Sequence, residues 1–163
     1  MNVLVLNTGS SSVKFGLIAS DDERVLLDGT ADWTAKPPTL TLRHAGEQPT
    51  ELPLPAGGCG PAVERVLNLL HEEKRMEVAA VGHRVVHGGS VFTSGVRVTP
   101  EVERTLAGLA ELAPLHNPVN LEGIEAAWKA WPDVPHVAVF DTAFHATLPE
   151  AARTYAVPWK WTE

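Results

Sequence analysis

Apolar positions recur along this chain with two different periods, and the switch between them separates a β-rich opening from an alternating remainder. Residues 2–6 form a short run dominated by Val and Leu, and after Thr8-Gly9-Ser10-Ser11 a second run from Val13 to Ile18 shows partial alternation. Two such runs around a Gly/Ser turn predict a β-hairpin. Arg24 to Asp32 predicts a third strand, and Thr39 to His44, with Leu40 and Leu42 on one face, a fourth. Pro37-Pro38 and the stretch from Pro53 to Gly60 read as connections, because Pro and Gly interrupt either period.

From there the period lengthens. Val63, Val66, Leu67 and Leu70 share one face of a helix beginning near Pro61, whose fixed φ suits a first helical turn. Val78 to Val86 returns to β-branched, apolar character and predicts a strand. Thr99 caps a second helix with Pro100 and Glu101 in its first turn, its stripe running through Val102, Leu106, Leu109 and Leu112 to Pro114. Asn117-Pro118 repeats that start signal, with Asn117 as the cap. Leu121, Ile124, Trp128 and Trp131 form the next stripe, the tryptophans reading as core, until Pro132 ends it ahead of a strand from His136 to Phe140. A hairpin, further strands and then alternation predict an α/β or α+β domain on a mixed sheet. The aromatic segment from Tyr155 to Trp161 is followed by Thr162 and Glu163 with neither a cap nor a polar tail, so the chain is expected to be truncated.

At 163 residues the chain fits one domain, able to remove roughly 70% of its unfolded surface from water. The apolar fraction of 44% and charged fraction of 20% are those of a folded, soluble globule rather than a disordered chain. A formal charge of −7, with thirteen Lys and Arg scattered along the chain, lacks the footprint of a nucleic-acid binder, so any anionic ligand has to be held locally. No basic leader precedes the first apolar run and no stretch is long enough to span a bilayer; no membrane partner and a cytoplasmic location are expected. Cys59, the single cysteine, stands among Gly57, Gly58 and Gly60; it reads as a loop thiol in a reducing compartment rather than a nucleophile.

Four clusters carry chemistry. Asn7-Thr8-Gly9-Ser10-Ser11-Ser12-Val13-Lys14-Phe15 puts backbone N–H groups, hydroxyls and an ammonium where they can meet phosphate oxygens. It is not a Walker A loop, since the second glycine and the Ser or Thr after lysine are missing; alone, such a hairpin is also ordinary turn chemistry. Gly82-His83-Arg84-Val85-Val86-His87-Gly88-Gly89 delivers an arginine, whose planar fork suits phosphate and carboxylate, into a glycine turn. Its two histidines, four apart on a strand, stand about 13 Å from one another, too far for one zinc ion; His83 reads equally as a core histidine and Arg84 as a structural ion-pair partner. Ala113-Pro114-Leu115-His116-Asn117-Pro118 holds a histidine in a tight link between helices, and Val139-Phe140-Asp141-Thr142-Ala143-Phe144-His145 ends an apolar strand in a carboxylate, a usual place for a metal or phosphate ligand.

Taken together and in this order, these motifs resemble the acetate kinases, members of the superfamily of actin, Hsp70 and sugar kinases. The resemblance runs from Val3 to about Trp159 and is weakest between Ser20 and Leu54. It implies a ribonuclease H-like lobe, a mixed β-sheet flanked by helices, in which residues 1–163 supply the N-terminal lobe of a two-lobed enzyme that usually works as a homodimer. It further implies transfer of the γ-phosphoryl group of ATP to acetate, giving acetyl phosphate, with magnesium as cofactor. Asn7, Ser10, Ser12 and Lys14 match the phosphate end of the ATP cleft, and Asn7 and Asp141 match positions that handle phosphate and magnesium. Arg84 and His116, catalytic together with Asp141, match the groups that hold the carboxylate and stabilise the moving phosphoryl group; Val86 and Leu115 match the walls of the methyl pocket. The family continues past Trp161 into a nucleotide-binding lobe that this chain lacks, so little or no activity is expected from it alone. A propionate or butyrate kinase lobe, and a noncatalytic module for small anions, are the alternative expectations.

Overall fold

The structure, a computed structural model, describes residues 1–73, 77–154 and 156–161. Tyr155, Thr162 and Glu163, part of the closing segment, lie outside the described residues. Near the start, the Gly9 N–H donates to the Ser12 carbonyl at 2.8 Å and closes a tight turn, folding β1 (Asn2–Thr8) against β2 (Ser12–Ala19) as the expected antiparallel hairpin. β3 (Arg24–Asp32), β4 (Thr39–His44) and β5 (Thr50–Pro53) extend it as an antiparallel meander.

α1 (Cys59–Glu72) then carries the chain back across to β6 (Ala80–Val85), which pairs in parallel with the other side of β1. The two-residue strand β7 (Val96–Arg97), α2 (Pro100–Gly108), a 3₁₀ turn (Ala110–Leu112) and α3 (Asn117–Ala130) follow, and β8 (His136–Phe140) adds in parallel to β6. Among the described residues the sheet has eight strands in the order β5-β4-β3-β2-β1-β6-β8-β7. The short helices α4 (Asp141–Phe144) and α5 (Glu150–Arg153) and a 3₁₀ turn (Trp159–Trp161) complete the elements.

Alternation sorts the sheet into two faces. Leu4 and Leu6 of β1 share a face with their register partners Leu17 and Phe15 of β2 and Val81 and His83 of β6. This is the face that α1 and α3 cover, where Val63, Val66 and Leu70 of α1 complete one apolar cluster and Ile124 of α3 joins Val85, Ala138 and Phe140 in a second. Trp131 and Trp128 pack at the margins of the two clusters, as the helical stripe predicted. Gly123 lets α3 approach β1, because a Cβ there would overlap Thr8 Oγ1 and come within 2.9 Å of Thr8 Cβ. The opposite face carries Val5, Asn7, Lys14, Gly82, Arg84 and Val139, and Val5 and Val139 are exposed.

Three local expectations are corrected. Cys59 opens α1 rather than lying in a loop; burial, and then the nearby Glu122 carboxylate, push its thiol up to about 12, so it is no nucleophile at neutral pH. The second helix is capped as expected by Thr99, whose Oγ1 accepts from the Val102 N–H, but it ends at Gly108 and tightens into the 3₁₀ turn instead of running to Pro114. His116, not Asn117, holds the cap position of α3, with no side-chain cap there. β5 and β7, unassigned from the sequence, are an edge hairpin ending in Pro53 and an outer two-residue pairing, both too short for a period to register.

Candidate functional site

β1, β6 and β8 are adjacent and parallel, and parallel sheets offer ligands the carboxyl ends of their strands. Three predicted residues arrive at that end: Asn7 near the end of β1, Arg84 near the end of β6, and Asp141 immediately after β8. Arg84 joins them. Its Nε donates to Asp141 Oδ1 at 2.9 Å, its Nη2 to Asp141 Oδ2 at 2.6 Å, and its Nη1 to Asn7 Oδ1 at 2.9 Å. The hydrogen-bonded Asp141 carboxylate holds the guanidinium's proton still more firmly than usual. With Arg84 47% and Asp141 41% exposed, the pair adds at most about 1 kcal/mol to stability, so its place in the fold is not explained by a need for a staple.

On the near side of Arg84 a cleft of about 300 Å³ is lined by Asn7, Ser10, Ser12, Lys14, Val86 and His116 as well as Arg84. Lys14 reaches it because β1–β2 pairing sets it directly opposite Asn7. Asp141 lies across Arg84 in a second cleft of about 630 Å³, whose floor includes Val5, Gly82, Val139 and Phe144. The structure thus gathers seven of the predicted site residues around the guanidinium of an eighth, Arg84. Leu115 is not among them: it is 74% exposed and lines neither cleft.

What fixes these strand ends is a pair of buried amides one helical turn apart, Asn117 and Asn120. Asn120 accepts from the Val86 N–H at 3.0 Å and donates to the Thr8 carbonyl, tying β6 to β1. Asn117 accepts from the His87 N–H at 3.2 Å and donates to the His87 and Leu109 carbonyls. α3 begins one residue after His116, so these ties fix the backbone from which His116 lines the same cleft as Arg84. Beyond Val86 the chain turns through Gly88 and Gly89; Gly89 has φ +61, and a Cβ on Gly88 would meet the Phe92 carbonyl at 2.7 Å. Thr142 Oγ1 accepts from the Gly88 N–H at 3.0 Å and anchors this turn to the residue after Asp141. Asn120 and Thr142 were missed from the sequence, although two asparagines spaced by three at a helix start were a visible signal.

His83 is a core histidine, 3% exposed, on the packed face. Its Nε2 lies 3.0 Å from His136 Nδ1, and His136 Nε2 lies 3.0 Å from the Trp131 carbonyl. That carbonyl requires a donor, so His136 carries its proton on Nε2 and accepts from His83 through Nδ1. Burial first, then the neighbouring His136, push His83 down to about 3; burial also lowers His136. Both are neutral at pH 7.

For a hard cation such as magnesium, the site offers the two Asp141 oxygens and the Asn7 amide oxygen, which accept from three different nitrogens of the Arg84 guanidinium. Oxygen donors of this kind fit magnesium, which keeps several waters and binds through one or two carboxylates plus phosphate. Among the described residues no group of three or more His, Cys, Asp or Glu could form an all-protein cage, and no helix is long and apolar enough to cross a membrane.

Residues 2–163 match the model of the acetokinase family. The chain is 50% identical over 163 residues to the acetate kinase of Deinococcus radiodurans, covering 99% of this chain and 41% of the relative. It is 43% identical over 169 residues to that of Thermotoga maritima, covering 100% and 42%. Among solved structures, a propionate kinase from Francisella tularensis superposes with a TM-score of 0.85 at 37% identity, and an acetate kinase from Porphyromonas gingivalis with 0.84 at 40%. These cover 99% and 98% of this chain and 42% of each structure. The chain therefore spans about two fifths of the length of the relatives it matches.

Proposed function

The chain belongs to the acetokinase family, and from that premise we propose that residues 1–163 form the N-terminal lobe of an acetate kinase, contributing the phosphate end and the carboxylate end of a cleft completed by a second, nucleotide-binding lobe. The observation that carries the reading is that Arg84 of β6 hydrogen-bonds both Asn7 of β1 and Asp141, the residue after β8, beside the Ser10–Lys14 turn. The complete protein would act in the cytoplasm, as a homodimer, on ATP and acetate, yielding ADP and acetyl phosphate.

Phosphoryl transfer passes through a loose transition state with charge spread over the equatorial oxygens, so the protein's task is alignment and charge stabilisation. Acetate is ionised at neutral pH and needs no strong base to become a nucleophile. Arg84, permanently charged, grips the carboxylate and the transferring oxygens, and His116, which lines the same cleft, donates to them. The hydroxyls of Ser10 and Ser12 and the Lys14 ammonium hold the phosphate chain in line. Bound through Asp141 and Asn7, magnesium supplies neutralisation of the charge that builds on the phosphate oxygens. Val86 offers the methyl group one apolar wall, and with Leu115 turned to solvent the rest of that pocket is expected from the second lobe.

The test replaces the corresponding N-terminal part of the Deinococcus radiodurans acetate kinase with residues 1–163 and traps acyl phosphate with hydroxylamine in the presence of ATP, magnesium and acetate. The chimaera is expected to turn over, the isolated chain to be silent, and Arg84→Ala in the chimaera to lose at least about 1,000-fold, the scale of an arginine that stabilises phosphoryl charge. A folded chimaera that is inactive, or indifferent to Arg84→Ala, overturns the reading.

A further inference from the structure

The turn from Gly9 to Ser12 stands in water, with Ser10 and Ser11 exposed, and two backbone bonds fix its shape. One is the Gly9 N–H on the Ser12 carbonyl at 2.8 Å; the other comes from the end of β3, where the Trp33 N–H donates to the Ser11 carbonyl at 3.3 Å. A trans peptide unit points its C=O and its N–H in opposite directions. With the Ser11 carbonyl drawn to β3, the N–H of the same unit, that of Ser12, is aimed back across the turn whose residues line the smaller cleft. The longer of the two bonds depends on what fixes Trp33. Asp32, the last residue of β3, faces Ser12 in the β2–β3 register and so stands on the open face of the sheet with Ser12 and Lys14. Its Oδ1 accepts from the Thr34 N–H at 2.8 Å, the Thr34 hydroxyl at 2.7 Å and the Ala35 N–H at 3.1 Å. These bonds, that of the Thr34 hydroxyl first, hold the carboxyl below its usual range. Trp33 packs from the other side against the apolar cluster that α1 completes. Its backbone is thus clamped from both faces, by a carboxylate on the open one and an indole on the packed one.

We propose that Asp32 is a positioning residue for phosphate: by pinning the backbone that follows β3 it holds the Trp33 N–H on the Ser11 carbonyl, and through that peptide unit it sets the turn that receives phosphate oxygens. Asp32 itself lines neither cleft. A carboxylate one strand away from an anion-binding turn is unfavourable on charge alone. What it supplies in return is an ionised acceptor, which makes stronger hydrogen bonds to N–H and O–H donors than a neutral one, at the place where the shape of the turn is decided. This role rests on the phosphate reading of the turn given above and adds the support that stands behind it.

The test titrates inorganic phosphate into the 163-residue chain and follows by NMR the amides of Ser10, Ser11 and Ser12 and the exchange rate of the Trp33 N–H. In the wild type, phosphate is expected to shift the three amides and to slow Trp33 exchange, because binding and the Ser11–Trp33 bond support one another. Asp32→Asn keeps an oxygen acceptor for Thr34 and Ala35 and is expected to bind phosphate at least as tightly as the wild type, having lost a negative charge. Asp32→Ala keeps no acceptor and is expected to bind about tenfold more weakly, the scale of one hydrogen bond to a charged group, with faster Trp33 exchange. Charge alone would move both variants the same way, toward tighter binding. Thr34→Val, which removes only the hydroxyl donor, is expected to weaken binding about two- to threefold and keeps the test decisive if Asp32→Ala does not fold. Binding in a folded Asp32→Ala as tight as in the wild type, equal losses in Asp32→Asn and Asp32→Ala, or unchanged binding in Thr34→Val overturns the proposal. Ser10–Ser12 amides that ignore phosphate in the wild type overturn the phosphate reading of the turn and the proposal with it, whereas the kinase reading as a whole is tested separately, by turnover of the chimaera.

Discussion

Asn120 shows how much a single buried amide can position. It takes the Val86 N–H and gives to the Thr8 carbonyl, so the strand carrying Arg84 and the strand carrying Asn7 share one side chain as their spacer. Asn120→Leu removes the partner of the buried Val86 N–H, which costs about 1–3 kcal/mol. Urea denaturation of the isolated chain should register that loss. In the active chimaera the same substitution should lower turnover, although Asn120 itself does not line the cleft. Such a residue is hard to find by reading, because nothing in an asparagine's identity separates a helix cap from an inward-facing tie; Asn117 reads as the former and is the latter. The groups that meet the cleft were legible, since hydroxyls, an arginine, a histidine and a strand-end carboxylate each announce a chemistry. Leu115 was not, because its matched position says nothing of which way an apolar side chain turns in a loop.

At the scale of elements, periodicity found β3, β4 and β8 to the residue and the two long helices to within a few, because each has one face that must be buried. β5 and β7 escaped because edge pairing leaves them mostly in water and too short to repeat. The pairing of β6 with β8 also hid a coupled histidine pair, whose partners lie 53 residues apart. His83 falls from 6.5 in the unfolded chain to about 3 in the folded one, so the unfolded state binds the extra proton first. The stability contributed by its neutral form is complete above pH 6.5 and drains as pH falls toward 3, at up to about 1.4 kcal/mol per pH unit. Between pH 6.5 and 4.5 the carboxylates with lowered values, Asp21, Asp32 and Glu101, remain charged, and Glu103, which burial and then the neighbouring Glu125 raise, acts in the opposite direction, so the loss across this window comes from the histidines. The urea midpoint should fall steadily across it. His83→Phe, which cannot take up a proton, should flatten that slope even if it lowers stability at pH 7.

For the molecule as a whole, the two faces of the sheet are unequal. One is sealed by α1 and α3, while the other leaves Val5, Val139 and Phe144 exposed beside the site. Contiguous apolar surface of this kind drives association, so sedimentation of the isolated chain should show concentration-dependent self-association that Val139→Lys suppresses. The strand order carries a further consequence, for the sequence of events in folding. β1 to β5 pair with neighbours along the chain and can form from short loop closures, whereas Asn7 meets Arg84 across 77 residues and Arg84 meets Asp141 across 57. Closing long loops is slow. Pulsed hydrogen exchange should therefore find the amides of β2 and β3 protected before those of β8, and uniform protection would contradict it. On that timetable the meander exists for a time without a site, carrying Asn7 and Lys14 with nothing opposite them. A chain emerging from the ribosome would have to release Asp141 before Arg84 could find the carboxylate that fixes its guanidinium.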